Sequence, residues 1–191
     1  MKTELLILGG GPGGYVAAIR AARLKIKTVL VEKHKIGGVC LNYGCIPTKV
    51  LLGKTALLKS IRKGKRFGLK ADNVHLDYKK LSAFKNQVVG GLVKGIESTL
   101  LSSGVTIVND EGNFRNPHEI ELSSGKLIEF DHAIAASGSR NRDLDTIKCD
   151  GDIIIDSTGA LALEEIPASM LVIGAGAIGL ELGLIFSRLG C

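Results

Sequence analysis

The chain is 191 residues long, carries 25 Lys and Arg against 19 Asp and Glu for a net charge of +6, and is 45% hydrophobic with 25 glycines and no tryptophan. That apolar content excludes a disordered chain, and four unevenly spaced cysteines exclude a secreted disulfide framework. No apolar stretch reaches the ~18 residues of a membrane span and the N-terminus lacks a signal-peptide layout, so the expected compartment is the cytoplasm.

Leu5 to Leu8 is an apolar run short enough for a buried strand, and Gly9-Gly10-Gly11-Pro12-Gly13-Gly14 follows at once. Gly9, Gly11 and Gly14 meet the pattern G-x-G-x-x-G. The first makes the tight turn, the second lets a pyrophosphate approach the backbone, and the third lets the helix pack close to the strand. The Ala-rich stretch Tyr15 to Leu24 predicts that helix, whose N-terminal N–H groups and dipole favour phosphate. Lys27 to Val31 predicts a second strand ending in Glu32, eighteen residues beyond Gly14, where a carboxylate suits the ribose hydroxyls of an adenosine. Strand, turn, helix, strand and acid together predict a dinucleotide site.

Cys40 and Cys45 follow in IGGVCLNYGCIPTK. Thiol exchange needs an attacking thiolate and a resolving neighbour, and this spacing closes a small ring, so the pair suggests a dithiol that passes electrons to the nucleotide. Positions five apart on an ideal helix point ~140° from each other, so a bridge requires a distorted turn, which Gly44 and Pro47 make plausible. The competing reading is two buried free thiols. Zinc is disfavoured because no second Cys or His pair complements them. Lys54, Lys59, Arg62, Lys63, Lys65, Arg66 and Lys70 concentrate positive charge next, but no series of interleaved aromatics offers base stacking, so the run is read as a solvated face and not a nucleic-acid site; attraction of an acidic partner domain stays open.

Leu81, Phe84, Val88, Leu92, Ile96 and Leu100 have helical spacing and predict one long helix over Asp77 to Ser102, ended by Gly104. Val105 to Asn109, the stretch around Phe114, Glu119 to Leu122, Lys126 to Phe130 and His132 to Ala136 predict short strands, with turns at Asn116-Pro117 and Ser123-Ser124-Gly125. The fingerprint then returns: Met170 to Ile173 predicts a strand leading into Gly174, Gly176 and Gly179 and an apolar helix with Glu181. The class is α/β: a Rossmann-like dinucleotide-binding domain with a helical segment and a small antiparallel meander over 1–143, then the beginning of a second Rossmann-like domain over 144–191. Cys149, Cys191 and the four histidines have no motif around them.

GGGPGG, GGVCLNYGCIPTK, ASGSR, IDSTGAL and GAGAIGLELG, in this order, resemble the disulfide-active flavoprotein reductases, the dihydrolipoamide dehydrogenases most of all. The resemblance spans the whole chain. It implies that Gly9, Gly11, Gly14 and Glu32 bind the ADP part of FAD, with Gly112, in a turn at Glu111-Gly112-Asn113, touching the adenine through its backbone. It implies a Cys40–Cys45 redox disulfide, Cys40 being the interchange thiol and Cys45 the thiol against the flavin. Lys49 matches the lysine near the flavin's hydride-accepting nitrogen, Glu181 its carboxylate partner, and Gly174, Gly176 and Gly179 the site for the pyrophosphate of NAD. The implied partner is dihydrolipoamide on a lipoyl domain of a 2-oxo-acid dehydrogenase complex, and the implied assembly is a homodimer. The family's C-terminal His–Glu acid/base pair has no match here, which implies an N-terminal portion of the enzyme. Related disulfide or mercuric reductases, and a flavin- or nucleotide-binding module without turnover, are the alternatives.

Overall fold

A computed structural model describes all 191 residues. Strand β1 (Lys2–Leu8) runs into helix α1 (Pro12–Arg23), and β2 (Thr28–Glu32) follows. Pro12 opens α1 where a missing N–H costs nothing, and the helix buries only Gly14, Ala18 and Ala21, small residues that let it lie close to the sheet. Two helices meet at the cysteines, α2 (Gly38–Tyr43) and α3 (Cys45–Lys63), the second ending in a 3-10 turn at Gly64–Phe67. The long α4 (Tyr78–Ser102) has the extent its spacing predicts. Then come β3 (Thr106–Asn109), β4 (Gly112–Asn116), β5 (Glu119–Leu122), β6 (Leu127–Ala135), α5 (Ser157–Ala162) and α6 (Ala177–Leu189).

All six strands form one mixed sheet in the order β3-β2-β1-β6-β5-β4. β3, β2, β1 and β6 are parallel, while β6, β5 and β4 are antiparallel. The two strands expected at Lys126–Phe130 and His132–Ala136 are a single one, because β6 pairs with β5 from Leu127 to Glu129 and with β1 from Glu129 to Ala135. The meander is thus a continuation of the parallel sheet. Gly112 opens β4 rather than lying in a turn, paired with Leu122, and a Cβ there would meet Ile120 Cδ1 at 2.7 Å.

By packing, the chain divides into two units, residues 1–42 with 90–140 and residues 43–89 with 141–191. The first holds the whole sheet. Successive residues of its central strands serve opposite faces. Leu6, Val29 and Val31 pack with Ile120, Leu122, Ile128 and Phe130 of the meander, whereas Ile7 and Leu30 pack with Ala18 of α1, Ile36 and Leu100 at the end of α4. Around this sheet both cores are continuous from strand to strand.

The second unit is helical. Leu51 of α3, Tyr78 and Leu81 of α4, Ala160 and Leu161 of α5, and Leu182, Ile185, Phe186 and Leu189 of α6 make its core. Asp156 caps α5 by accepting from the Gly159 N–H at 2.8 Å, and that bond, with a second from Asn141, holds its carboxyl below the usual aspartate range. Met170–Ile173 forms no strand here, contrary to the pattern: a ladder needs a neighbour, and no strand of this unit offers one, so Leu171 is 87% exposed. Phe84 and Leu92 of α4 are also exposed, while Tyr78, Leu81 and Lys85 take the buried positions.

Candidate functional site

The residues singled out in the sequence fall into two groups, one in each unit. In the first, Gly9 turns the chain at the end of β1 with φ +105°, a conformation that suits glycine, and the Gly9 N–H donates to Val31 O at 2.8 Å. Any Cβ on Gly14 would lie 1.7 Å from Gly9 O, so only glycine lets α1 start this close to the strand. Gly11 is the N-cap of α1 and no side chain caps it, nor does its first turn hold an acidic residue. The positive end of α1 is therefore left for an external anion.

Glu32 is buried at the end of β2, and each of its oxygens accepts one backbone N–H: Gly10 N at 2.6 Å and His34 N at 2.8 Å. The carboxylate thus pins the glycine turn to the second strand. Each oxygen keeps a lone pair directed elsewhere, which suits ribose hydroxyls. Beside this turn lies a feature outside the G-x-G-x-x-G pattern. Gly37 N–H donates to Gly10 O at 2.8 Å, and Gly38, at φ +57°, packs so closely that a Cβ on it would meet Gly11 Cα at 2.7 Å. Gly38 is also the first residue of α2, the helix that carries half-buried Cys40. The Gly-Gly pair before Val39 was the available signal, since backbone-to-backbone packing demands glycine on both sides. Asn42 closes α2 by donating to Ile36 O at 3.1 Å and Gly38 O at 3.0 Å.

Gly44 then breaks the helix with φ −140° and ψ −105°, and Cys45 opens α3 as an exposed residue. That interruption is the distorted turn expected between the two cysteines. Cys45 thus stands at a helix start with its sulfur accessible to a second thiol. The N-terminus of α3 is tied down by Thr48, whose hydroxyl and N–H both donate to Gly44 O, at 2.6 and 3.1 Å. One turn further, Lys49 forms an ion pair with Glu181 of α6. The two residues lie 132 positions apart in sequence and are brought together in the second unit. Cys149, by contrast, is poorly placed for reaction: desolvation, then Asp143, push its thiol up and away from the thiolate.

The second fingerprint reproduces the first turn without a sheet beneath it. Gly174 has φ +104°, Gly176 caps α6 at φ −74° and ψ 174°, and a Cβ on Gly179 would lie 2.5 Å from Gly174 O. Gly11 shows nearly the same angles, φ −72° and ψ −175°. The α6 start likewise has no side-chain cap and no acid in its first turn. Both turns thus have a cradle of the kind a pyrophosphate needs, formed by backbone and open where a side chain would intrude.

A profile of the pyridine nucleotide-disulphide oxidoreductase family matches residues 3–191. The dihydrolipoyl dehydrogenase of Geobacillus stearothermophilus is 43% identical over 193 residues, which are 100% of this chain and 41% of the relative. Dihydrolipoyl dehydrogenase 2 of Haloarcula marismortui is 43% identical over 194 residues, 98% of this chain and 41% of the relative. Among solved structures, LpdA from Mycobacterium tuberculosis superposes with a TM-score of 0.86 at 25% identity, over 98% of this chain and 43% of that one. The HOCl-induced flavoprotein disulfide reductase RclA from Escherichia coli gives 0.82 at 25% identity, over 98% and 40%. The chain spans about two fifths of the length of the curated relatives it matches.

Proposed function

Because the chain belongs to the pyridine nucleotide-disulphide oxidoreductase family, we propose that it supplies the flavin-binding and dithiol-bearing part of a dihydrolipoyl dehydrogenase. The observation that carries this reading is the backbone contact of Gly37 and Gly38 with Gly10 and Gly11. It starts the Cys40 helix at the dinucleotide turn, so thiol and nucleotide sites share one piece of backbone. Gly9, Gly11, Gly14, Glu32 and Gly112 would hold the ADP portion of FAD, and Gly174, Gly176 and Gly179 the pyrophosphate of NAD. Bound FAD supplies a two-electron relay between a dithiol and a pyridine nucleotide.

In the oxidised protein Cys40 and Cys45 form a disulfide. One thiolate of dihydrolipoamide attacks the Cys40 sulfur, and Cys45 leaves as a thiolate. The second substrate thiol, deprotonated, attacks the substrate sulfur bonded to Cys40, forming the S–S bond of lipoamide and releasing Cys40 as a thiolate. Two electrons and two protons have then left the substrate; both electrons reside on the cysteine pair and, with one of the protons, finally reduce NAD+ to NADH, the other proton passing to solvent. Lys49 places a cation one turn from Cys45, where it favours the anionic form of nearby groups, and Glu181 fixes its position. The proposed physiological substrate is dihydrolipoamide on a lipoyl domain of a 2-oxo-acid dehydrogenase complex, turned over by a homodimer. The 43% identity to dihydrolipoyl dehydrogenases favours that substrate over those of other disulfide reductases.

The test is the visible spectrum of the protein with FAD, freed of unbound flavin, before and after a stoichiometric dithiol. Long-wavelength absorbance on reduction is expected, and Cys45→Ser should abolish the dithiol response while leaving flavin bound. Retained dihydrolipoamide oxidation in that variant would overturn the assignment.

A further inference from the structure

Between Lys49 and Lys70 the sequence holds eight Lys or Arg and no Asp or Glu. All eight are exposed, seven on α3 and the 3-10 turn that continues it and Lys70 just beyond that turn. Three have partners within the protein: Lys49 pairs with Glu181, Lys54 lies 5.1 Å from the centre of the Phe84 ring, and Arg62 donates to Arg188 O. Lys59, Lys63, Lys65, Arg66 and Lys70 take part in no ion pair, although the surface ion pairs of the protein engage Lys2, Lys33, Lys80 and Arg115. A plain reading exists for part of this charge, since Arg62 and Lys63 sit in the last turn of α3 and complement its dipole. It does not reach Lys59, one turn earlier, or Lys65, Arg66 and Lys70, beyond the helix end. Lys59 and Lys63 stand four apart as like charges on one face, an arrangement that weakens a helix.

Leu57, Phe67 and Leu69 are exposed among these cations, Phe67 at 73%. A nucleic-acid strand is served by cations and a series of stacked rings, and Phe67 is the one ring of the three, whereas Leu57 and Leu69 between the cations give an acidic protein surface something to bury. The element that presents this face also opens at Cys45, with Lys54 ~14 Å and Lys63 ~27 Å along its axis from that residue. From the charge, the apolar residues and the shared helix, and resting on the reading that the substrate dithiol is carried by a protein domain, we infer that the cationic face of α3 and its 3-10 extension docks an acidic carrier domain. Docking there raises the effective concentration of the tethered dithiol at Cys45 and steers encounter by charge.

The experiment titrates the full chain into an isotopically labelled lipoyl domain of net negative charge and follows chemical-shift changes, at ionic strengths of about 0.01 M and 1 M, where the screening length is about 30 and 3 Å. The variant K59E/K63E/R66E should weaken binding at least tenfold at low salt, and the difference should vanish at high salt. The control K35E/K94E/K148E, which changes charge equally at exposed sites elsewhere, should bind within twofold of the wild type. Equal weakening by both variants, or none by the first, overturns the inference, as does tighter binding of a polyuridylate strand than of the domain. Circular dichroism of each variant separates lost docking from lost folding. The same titration with a domain lacking its lipoyl group separates this surface from the dithiol chemistry: docking that persists without the lipoyl group stands whether or not Cys45→Ser changes the flavin spectrum.

Discussion

Lys85 is 5% exposed, and its ammonium donates to Leu161 O in the second unit with no carboxylate paired to it. An unpaired buried cation is expensive, and burial accordingly pushes its pKa down. Between that lowered value and the ordinary lysine range of about 10.4, the unfolded chain holds a proton that the folded chain has released. Stability rises with pH wherever the unfolded state binds more protons, so this residue makes the protein more stable as pH climbs through that window. Urea midpoints measured at a series of alkaline pH values should rise less steeply in Lys85→Met than in the wild type. Parallel curves would show that the buried amine is not the source. The face read from Leu81, Phe84 and Val88 did not include Lys85, because a charged residue is not expected inside, so neither its burial nor its carbonyl partner, 76 residues away, was legible.

At the level of elements, strand-turn-helix units were the most legible part of the chain, because a glycine fingerprint is a local steric code. Both turns have the angles it demands. Whether the preceding apolar run becomes a strand is a different matter, decided by non-local pairing: Leu5–Leu8 finds β2 and β6 on its two sides, while Met170–Ile173 finds no ladder. The same reason hid the union of two short strands in β6, since the ladder with β1, not composition, carries the strand through Asp131. Hidden likewise was the contact of Lys49 with Glu181, which the family resemblance supplied and residue spacing did not.

The turns also differ in tightness, which separates them energetically. A Cβ at position 14 meets a backbone oxygen at 1.7 Å, with Ile7 behind it, whereas at position 179 the oxygen is 2.5 Å away. Gly14→Ala should cost about 3 kcal/mol, the upper end of the overpacking range, and Gly179→Ala distinctly less. Urea denaturation followed by circular dichroism compares the two. A Gly14→Ala cost no larger than that of Gly179→Ala would mean that the first turn can relax.

For the whole molecule, the division by packing does not follow the order of the chain. Residues 43–89, which begin just before Cys45, fall in one unit with 141–191. A sequential division at 143/144 follows the fingerprints, while this one follows the cores. Truncation after Arg140 would leave Leu51, Tyr78 and Leu81 without Ala160, Leu161, Leu182, Ile185, Phe186 and Leu189. In residues 1–140, backbone amides of α3 should lose hydrogen-exchange protection while those of β1 and β2 retain it. Undiminished protection in α3 would show that its helix stands without the second core.

β6 has a further consequence, for the order of events during synthesis. β1 leaves the ribosome before the strands that flank it, yet one of its two edges is filled only by residues 129–135, and Met1 O waits for the N–H of Glu129. Local pairing with β2 can precede this, but closing a loop of that span is slow relative to hairpins and helices. Until then the nascent chain carries an open, apolar strand edge of the kind that invites pairing with a neighbour. That edge therefore stays open from the translation of Leu8 to that of Ala135, and a pause placed inside this interval should lower the yield of soluble chain in cell-free translation without altering a single native contact.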